Sequence, residues 1–377
     1  MPRHWGRRQS GGSLSAVAQI KLQKRSIVSA YSVADDRRAF LQVLSTLVPI
    51  AALWWAVAWS ARESYWVTAG ITLAMALFLV RGFVLMHDCG HASLFSKDWL
   101  NKSFGFLFGV LSGMPQYVWS KHHAYHHATN GNWAKYRGPL VTATLAEYEG
   151  LSEGGQRKYQ RIRSLWLTPL HGFLYILFFP RYTWMKGSLA LLLHLARGKP
   201  AAEFKTPYWS APKEYWHMFW NNVVLLGFWA AMSFALGPAL FFAVYVVSVS
   251  LAGATGIILF AVQHNYEHSY ASGDEGWDID TAALQGTSYL VLPRWLNWFT
   301  ADIAFHHVHH LSAAIPNYRL ADCHARHAEL FSEVTRITLS GLPAAFRCNL
   351  WDTRARWIIS EAEYGELKAA ENAAAAG

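Results

Sequence analysis

Charged side chains and cysteine are both scarce in this sequence of 377 residues. Asp, Glu, Lys and Arg make up only 15% of it, against roughly 25% in ordinary soluble domains. Together with a hydrophobic fraction of 53%, this shortage favours a membrane protein over a row of soluble domains. Cys89, Cys323 and Cys348 are too few for a disulfide scaffold. Intrinsic disorder is excluded as well, because disordered chains are poor in aromatics and this one has 19 tryptophans.

Long stretches without any charge predict membrane-spanning helices in two hairpins. Only Arg62 and Glu63 separate the first two stretches. The other two come from the charge-free stretch 215–266, which is far too long for one span and is divided by Gly237 and Pro238. About 20 residues cross the hydrocarbon core of a bilayer. The sequence therefore predicts four spans, at about 39–61, 64–86, 218–236 and 239–262.

The basic residues indicate an orientation and a domain organisation. Apart from Arg62 at the tip of the first hairpin, nearly all of the Lys and Arg lie in the N-terminal arm, in 87–214 or after 267, so the positive-inside rule makes that side cytoplasmic. We expect a basic cytoplasmic N-terminal arm at 1–38, a solvated tail without a signal-peptide core. A membrane domain follows at 39–330, and a cytoplasmic tail at 331–377 ends in a predicted Ala-rich helix. The apolar stretches 104–114 and 169–180 are too short for full spans and predict either interfacial, re-entrant segments or buried helices.

Histidine is abundant, and most of it is clustered. Twelve of the 18 histidines fall into four sequence groups, all on the predicted cytoplasmic side. The groups are His87 and His91; His122, His123, His126 and His127; His264 and His268; and His306, His307, His309 and His310.

The spacing within each group has a physical meaning. Residues at i and i+3 or i+4 share one face of a helix, so each group can aim two or three imidazoles at one point. The combined number, about nine or ten, suits two first-row metal ions, and imidazole is a ligand of Fe, Cu, Ni and Zn. The sequence therefore predicts an all-α integral membrane protein in which a cytoplasmic helical cap holds a di-metal site.

Two details of this site stay open on spacing alone. His122 and His307 also pair at helical spacing with members of their own groups, so each is an alternative ligand. Asp88, Glu267 and Asp302 lie in or beside the groups. They are either hydrogen-bond acceptors for the second ring nitrogen of ligating histidines or ordinary helix-end charges.

The pattern resembles that of the membrane fatty acid desaturases over roughly residues 39–330. The three histidine boxes of that family, HxxxH, HxxHH and HxxHH, correspond to 87–91, 123–127 and 306–310. The flanking sequence from 263 to 318 is similar to the delta-12/omega-type acyl-lipid branch, particularly its bacterial members. The resemblance favours His123 and His306 over their neighbours, implies a further ligand after the last span at His268, and leaves His264 as a direct or water-bridged ligand. The implied metal ligands are His87, His91, His123, His126, His127, His264, His268, His306, His309 and His310.

The resemblance also implies a chemistry. Its cofactor is two non-haem iron ions, and its co-substrates are O₂ and two external electrons. The reaction removes two hydrogens from adjacent methylenes of a membrane-lipid acyl chain and leaves a cis double bond. A redox metal is needed because an unactivated C–H bond has no acidic proton, while the protein supplies positioning. We expect an acyl tunnel walled by the apolar cytosolic segments, including 104–114.

Partners follow from the same resemblance. The sequence shows no His-Pro-Gly-Gly haem module and no GxGxxG fingerprint after a strand, so electrons are expected from ferredoxin or from cytochrome b5 with its reductase. The basic surface either steers an acidic donor or reflects attraction to anionic lipid. The other expected partner is a fatty acyl lipid; no nucleic acid is expected. The expected location is the bacterial inner membrane, or the endoplasmic reticulum in a eukaryote.

Two other functions compete. A hydroxylase or ketolase acting on alkanes, carotenoids or lipids uses similar histidine boxes, and its product retains oxygen. A metal transporter instead places its site near the bilayer midplane on broken helices. Here the histidine groups lie at or beyond the ends of the predicted spans, which disfavours transport.

Overall fold

The protein is mainly helical. A computed structural model describes residues 15–138 and 140–376. The helices in chain order are α1 Ala16–Tyr31, α2 Asp36–Ser60, α3 Tyr65–Gly90, α4 Asp98–Ser112, α5 Gln116–Thr129, α6 Leu145–Glu149, α7 Glu153–Ile162, α8 Thr168–Phe173, α9 Phe179–Ala196, α10 Pro212–Leu236, α11 Pro238–His264, α12 Ile279–Gln285, α13 Arg294–Phe299, α14 His306–Leu311, α15 Asn317–Arg326, α16 Leu342–Ala345 and α17 Glu361–Ala376. A π-helical turn, Leu174–Phe178, joins α8 to α9.

Two small sheets accompany the helices. The strands are β1 Ala143–Thr144, β2 Tyr289–Val291, β3 Arg336–Thr338, β4 Cys348–Asp352 and β5 Trp357–Ser360. In one sheet β4 pairs in parallel with β1 and antiparallel with β5, and in the other β2 pairs in parallel with β3. The predicted helical membrane fold is confirmed, and no sheet within residues 15–138 and 140–376 closes into a barrel. Strands of two to five residues carry too little periodicity to be read from the sequence.

Four helices of the described chain are long and apolar enough to cross a membrane, as predicted. They are α2, α3, α10 and α11, and the first two extend beyond the charge-free stretches that predicted them. The bent pair Glu153–Ile162 and Leu165–Ala196 also qualifies when taken together, as a broken span or a re-entrant segment. In the shorter stretch 104–114, Phe108, Val110 and Met114 are buried, which fits the buried-helix alternative.

Glycine positions the second hairpin and the helix packed on it. Gly237 has φ +80° between α10 and α11, a conformation that L side chains rarely adopt, and Pro238 then begins α11. Gly172 of α8 lies against the backbone of α11, where an added Cβ would be 2.6 Å from the carbonyl oxygen of Ser250. This close approach holds α8 beside the part of α11 that leads to His264.

The predicted solvated N-terminal arm is wrong for the residues from 15 onward. Helix α1 packs on the cap, with Ile20 and Ile27 fully or almost fully buried. Two lysines of α1 form ion pairs near the start of α12, Lys21 with Asp278 at 2.8 Å and Lys24 with Asp280 at 2.6 Å. The sequence did not reveal this apolar face of α1, because basic residues surround the two isoleucines. The part of this prediction on residues 1–14 lies outside the described residues.

The C-terminal region is also more structured than its sequence indicated. The predicted terminal helix is present as α17. Before it, β4 pairs with β1 and β5 pairs with β4, so this region packs against the segment that follows α5.

Candidate metal centre

Four segments of the cap bring nine histidines together. Helix α3 carries His87 and ends beside His91, α5 carries His123, His126 and His127, α11 ends at His264, and α14 carries His306, His309 and His310. In α5 and α14 the i, i+3, i+4 spacing puts the three imidazoles of each box on one face, as the sequence predicted.

The first part of the centre is a five-histidine group. One ring nitrogen from each of its members lies within 4.8 Å of the others; the members are His87, His91, His123, His127 and His309. The Nε2 atom of His127 is 3.0 Å from Nε2 of His123 and 3.0 Å from Nε2 of His309. His87 and His309 are buried, whereas the other three are partly exposed.

The second part is a four-histidine group around His264. Its Nε2 atom is 3.1 Å from Nε2 of His126 and 2.9 Å from Nε2 of His306. The ring of His310 completes the group, with a ligand nitrogen within 4.8 Å of those of His126 and His264. All four side chains are buried. The rings of His127 and His310, which belong to different groups, stack at 4.2 Å, so the two groups are adjacent.

The donor set fits metal ions. Nδ1 of His264 donates to the carbonyl oxygen of Gly286 at 3.2 Å, which leaves a lone pair on Nε2 facing two further imidazole nitrogens. Other ring nitrogens, including Nε2 of His87, His91 and His310, are buried without a hydrogen-bond partner among the described residues. The closest ring nitrogens of each group lie 2.9–3.1 Å apart, so they are near enough to bind one ion together. A buried nitrogen without a hydrogen-bond partner costs free energy, and binding a cation removes that cost.

The cluster favours neutral imidazoles, the form that binds metals. Burial, reinforced by the neighbouring imidazoles, lowers the pKa of its members outside the spans well below the ordinary value of 6.5. These are His91, His123, His126, His127, His306, His309 and His310.

We predict from these pKa shifts that acid destabilises the metal-free protein. Below the ordinary imidazole pKa of 6.5 the unfolded chain binds protons that the folded cluster does not. Folding stability is therefore fully present above that pH and is lost progressively as the pH falls below it. Thermal unfolding of chelator-treated protein between about pH 5 and 8 measures this. A flat profile across that window would contradict the buried neutral cluster.

Of the three acids considered from the sequence, Asp88 contacts a histidine of the centre. Its Oδ1 accepts a hydrogen bond from Nδ1 of His87 at 2.8 Å, which directs Nε2 of that ring into the five-histidine group. The other oxygen of Asp88 accepts from the backbone N–H of Asn317, so α3 and α15 are joined behind the ligand. Asp302 instead accepts from Asn297, and burial raises its pKa to about 6.

His268 is a correction to the ligand set that the resemblance implied. Its Nε2 is 2.8 Å from the carboxylate of Glu363, and it groups with Glu267 rather than with the cluster. The reason is local: α11 ends at His264, and His268 has φ +60° in the following turn. The i, i+4 relation of His264 and His268 therefore does not place them on one helix face. The structure brings His264 into the centre and leaves His268 outside it.

The two alternative ligands also lie outside the groups. His122 is exposed at the edge of a cavity described below, and His307 points away to Nδ1 of His324 at 2.8 Å. Both residues lie on helices whose other histidines converge on the centre. Which histidines of each helix can be ligands therefore depends on which face of the helix points to the core.

A cavity of about 480 Å³ runs beside the metal centre. Its lining from α11 extends from Ala252 to His264, about 18 Å at 1.5 Å per residue. His126 and His306 face it, and its wall also includes Tyr175 of the π-helical turn. Sequence reasoning missed this wall, because its residues come from distant segments and share no motif.

A cavity is present beside the histidines, as an acyl tunnel requires, but the prediction that 104–114 forms its wall is wrong. None of residues 104–114 lines the cavity in the described chain. Ser112 alone reaches a small void beyond it, which shares Phe83, Ile176 and Ala252 with the cavity wall. The stretch 104–114 packs behind α3 instead, whereas 174–179 forms part of the wall.

Comparison with known proteins agrees with this geometry. Residues 64–339 match the family model of fatty acid desaturases. A fatty acid desaturase of Bacillus subtilis is 31% identical over 345 residues, 91% of this chain and 92% of the relative. An sn-1 oleoyl-lipid 12-desaturase of Anabaena variabilis is 23% identical, covering 76% and 75%. An endoplasmic-reticulum omega-3 fatty acid desaturase of Vigna radiata is 25% identical, covering 70% and 64%. The chain therefore belongs to the fatty acid desaturase family and is an acyl desaturase.

Proposed function

We propose that the protein introduces a delta-12/omega-type cis double bond into a membrane-lipid acyl chain, using two non-haem iron ions held by the nine clustered histidines. The observation that carries the proposal is the adjacency of two histidine groups and one long cavity. The 12-desaturase relatives support the double-bond position.

The five-histidine group would hold one iron and the four-histidine group the other. When bound, the irons supply the O₂ activation and redox capacity that no amino-acid side chain has. The chain's own residues do the rest: Asp88 fixes the ring of His87, and Gly286 fixes the ring of His264 through its carbonyl. Replacing the carboxylate of Asp88 would loosen the ring of His87 without removing it.

The cavity would hold the acyl chain and exclude water from it. Apolar side chains line its membrane end, including Phe83, Ile176 and Ile257. Polar side chains, including Thr142 and Asn349, are among the lining residues that lie outside the spans, and we call this part the polar end. This gradient supports an orientation in which the methyl end of the acyl chain lies among the spans. Fixing the chain there sets which methylenes lie beside the histidines.

Sidedness and the electron donor belong to the same proposal. All nine histidines lie at the ends of the spans opposite the two hairpin tips, which the charge pattern assigns to the cytoplasm. His91, His123 and His127 of this set are partly exposed. A cytoplasmic ferredoxin or cytochrome b5 would deliver electrons there.

The decisive experiment is expression of the full chain with a ferredoxin or cytochrome b5 system, followed by double-bond mapping of cellular fatty acids under ¹⁸O₂. We expect new cis double bonds at the delta-12 or omega position and no ¹⁸O in the lipid product. An ¹⁸O-labelled alcohol or ketone as main product would favour a hydroxylase or ketolase. Double bonds elsewhere would keep desaturation and overturn the proposed position.

A further inference from the structure

One cationic side chain on the cavity lining is not explained by the chemistry at the metal centre. Arg163 lines the polar end, with its guanidinium carbon 3.5 Å from the centroid of the Tyr159 ring. Its Nη1 donates to the carbonyl oxygen of Tyr159 at 3.0 Å and its Nη2 to that of Val141 at 2.9 Å. These contacts hold the guanidinium in a fixed position at the cavity.

The charge of Arg163 is not neutralised by a carboxylate. Arg137, which also lines the cavity, is ion-paired with Glu147 at 2.6 Å. Arg163 has no such ion pair with any residue that the structure describes. A guanidinium has five N–H donors, and two carbonyl bonds leave about three of them for a ligand. The hydroxyl of Ser164, also on the lining, accepts from the backbone N–H of Trp166 and keeps its own proton to donate.

The chain around Arg163 has the composition of a membrane surface. Lys158 and Arg161 are exposed on α7. Immediately after Arg163, the side chains of Trp166 and Leu170 are 92% and 52% exposed. Tryptophan beside clustered Lys and Arg is typical of the lipid headgroup region, and such clusters attract anionic lipids. The polar end of the cavity therefore lies beside residues that are typical of the headgroup region, where the glycerol phosphate of a phospholipid would lie.

We propose that Arg163 binds the phosphate of a phospholipid at the polar end of the cavity and so selects a phosphate-bearing acyl carrier. The inference rests on the proposed desaturase function, which leaves the carrier open. Arginine suits this role because its planar fork matches phosphate oxygens and its charge persists at the interface. Phosphate also occurs in acyl-CoA, but the exposed Trp166 and Leu170 favour a lipid that stays in the bilayer.

The test compares carriers with identical acyl chains. Purified holoenzyme is reconstituted with its electron-donor system in vesicles that carry the acyl chains on phosphatidylglycerol or on monogalactosyl diacylglycerol, and acyl-CoA is supplied in a third arm. We expect Arg163→Gln to raise the KM for phosphatidylglycerol about tenfold with kcat nearly unchanged, which is about 1.4 kcal/mol of binding. Turnover of the galactolipid should be unaffected, and Arg163→Lys should recover part of the loss. Arg354→Gln, which removes an exposed charge outside both α7 and the cavity lining, should match the wild type.

Binding without turnover separates this proposal from the proposed function. Short-chain phosphatidylglycerol should raise the unfolding temperature of the wild type but not of Arg163→Gln, whereas short-chain galactolipid should raise neither. If the vesicles yield no product, the proposed desaturase function is contradicted. The binding measurement then still decides whether Arg163 binds the phosphate. If Arg163→Gln loses turnover equally on phosphatidylglycerol and on galactolipid, Arg163 only stabilises the contact between Val141 and Tyr159, and the proposal is overturned. Preference of the wild type for galactolipid or acyl-CoA would overturn it too.

Discussion

Replacing His264 with Ala is expected to remove metal from the four-histidine group and to lower desaturation by more than about 100-fold. Loss of an outer hydrogen-bond partner of a metal ligand typically costs 10–100-fold, so loss of a central ligand costs more. Nε2 of His264 lies 3.1 Å from Nε2 of His126 and 2.9 Å from Nε2 of His306. It is therefore the central nitrogen of that group, and no other ring of the group occupies this position. Metal content and product formation are measured on the same purified sample.

The matched control is His268→Ala. This side chain is 45% exposed and pairs with Glu363 outside both histidine groups. We expect metal content and activity near those of the wild type, because the side chain belongs to neither of the two histidine groups. Metal loss in His268→Ala together with retention in His264→Ala would reverse the assignment made from the structure.

Filling the cavity at Gly256 is expected to abolish acyl-chain binding while the metal centre stays loaded. Gly256 lines the cavity on α11, and a Cβ added there meets no atom within 4 Å. A leucine at this position therefore enters the space proposed for the acyl chain without displacing backbone. Gly256→Leu should lower kcat/KM by more than about 100-fold, since even a small misplacement of substrate costs that much. Metal content and unfolding temperature should remain near wild-type values.

Gly227→Leu is the control for the effect of a new leucine in a spanning helix. Gly227 lies on α10, is exposed, and likewise has no atom within 4 Å of an added Cβ. This variant should keep its activity, because its side chain points away from the cavity. Retained turnover in Gly256→Leu, or equal loss in both variants, would show that the cavity does not hold the substrate.

The sequence predicted the structure correctly where one pattern, either the absence of charge or helical spacing, continued along the chain. Charge-free stretches predicted the four spans, because a bilayer core demands about 20 apolar residues. Helical spacing predicted the convergence of the 123–127 and 306–310 boxes, since α5 and α14 are regular helices throughout those residues. The same rule failed for His264 and His268 because α11 ends between them.

Other features depend on contacts between distant segments and leave no local signal. The wall of the cavity combines α11 with the π-helical turn, and that packing depends on the close approach of Gly172 to α11. Helix α1 was misjudged because its buried positions, Ile20 and Ile27, are two turns apart within a basic stretch. The sequence left Asp88 as either a hydrogen-bond acceptor for a ligating histidine or an ordinary helix-end charge. Its hydrogen bond to His87 decides for the first.

The most direct test of the account is the number and identity of metal ions in the purified, active protein, measured by elemental mass spectrometry alongside turnover. Nine convergent imidazoles in two groups predict about two iron ions per chain, with activity proportional to iron. Active protein with one iron per chain, or with zinc or copper in its place, would contradict the two-iron centre on which the account rests.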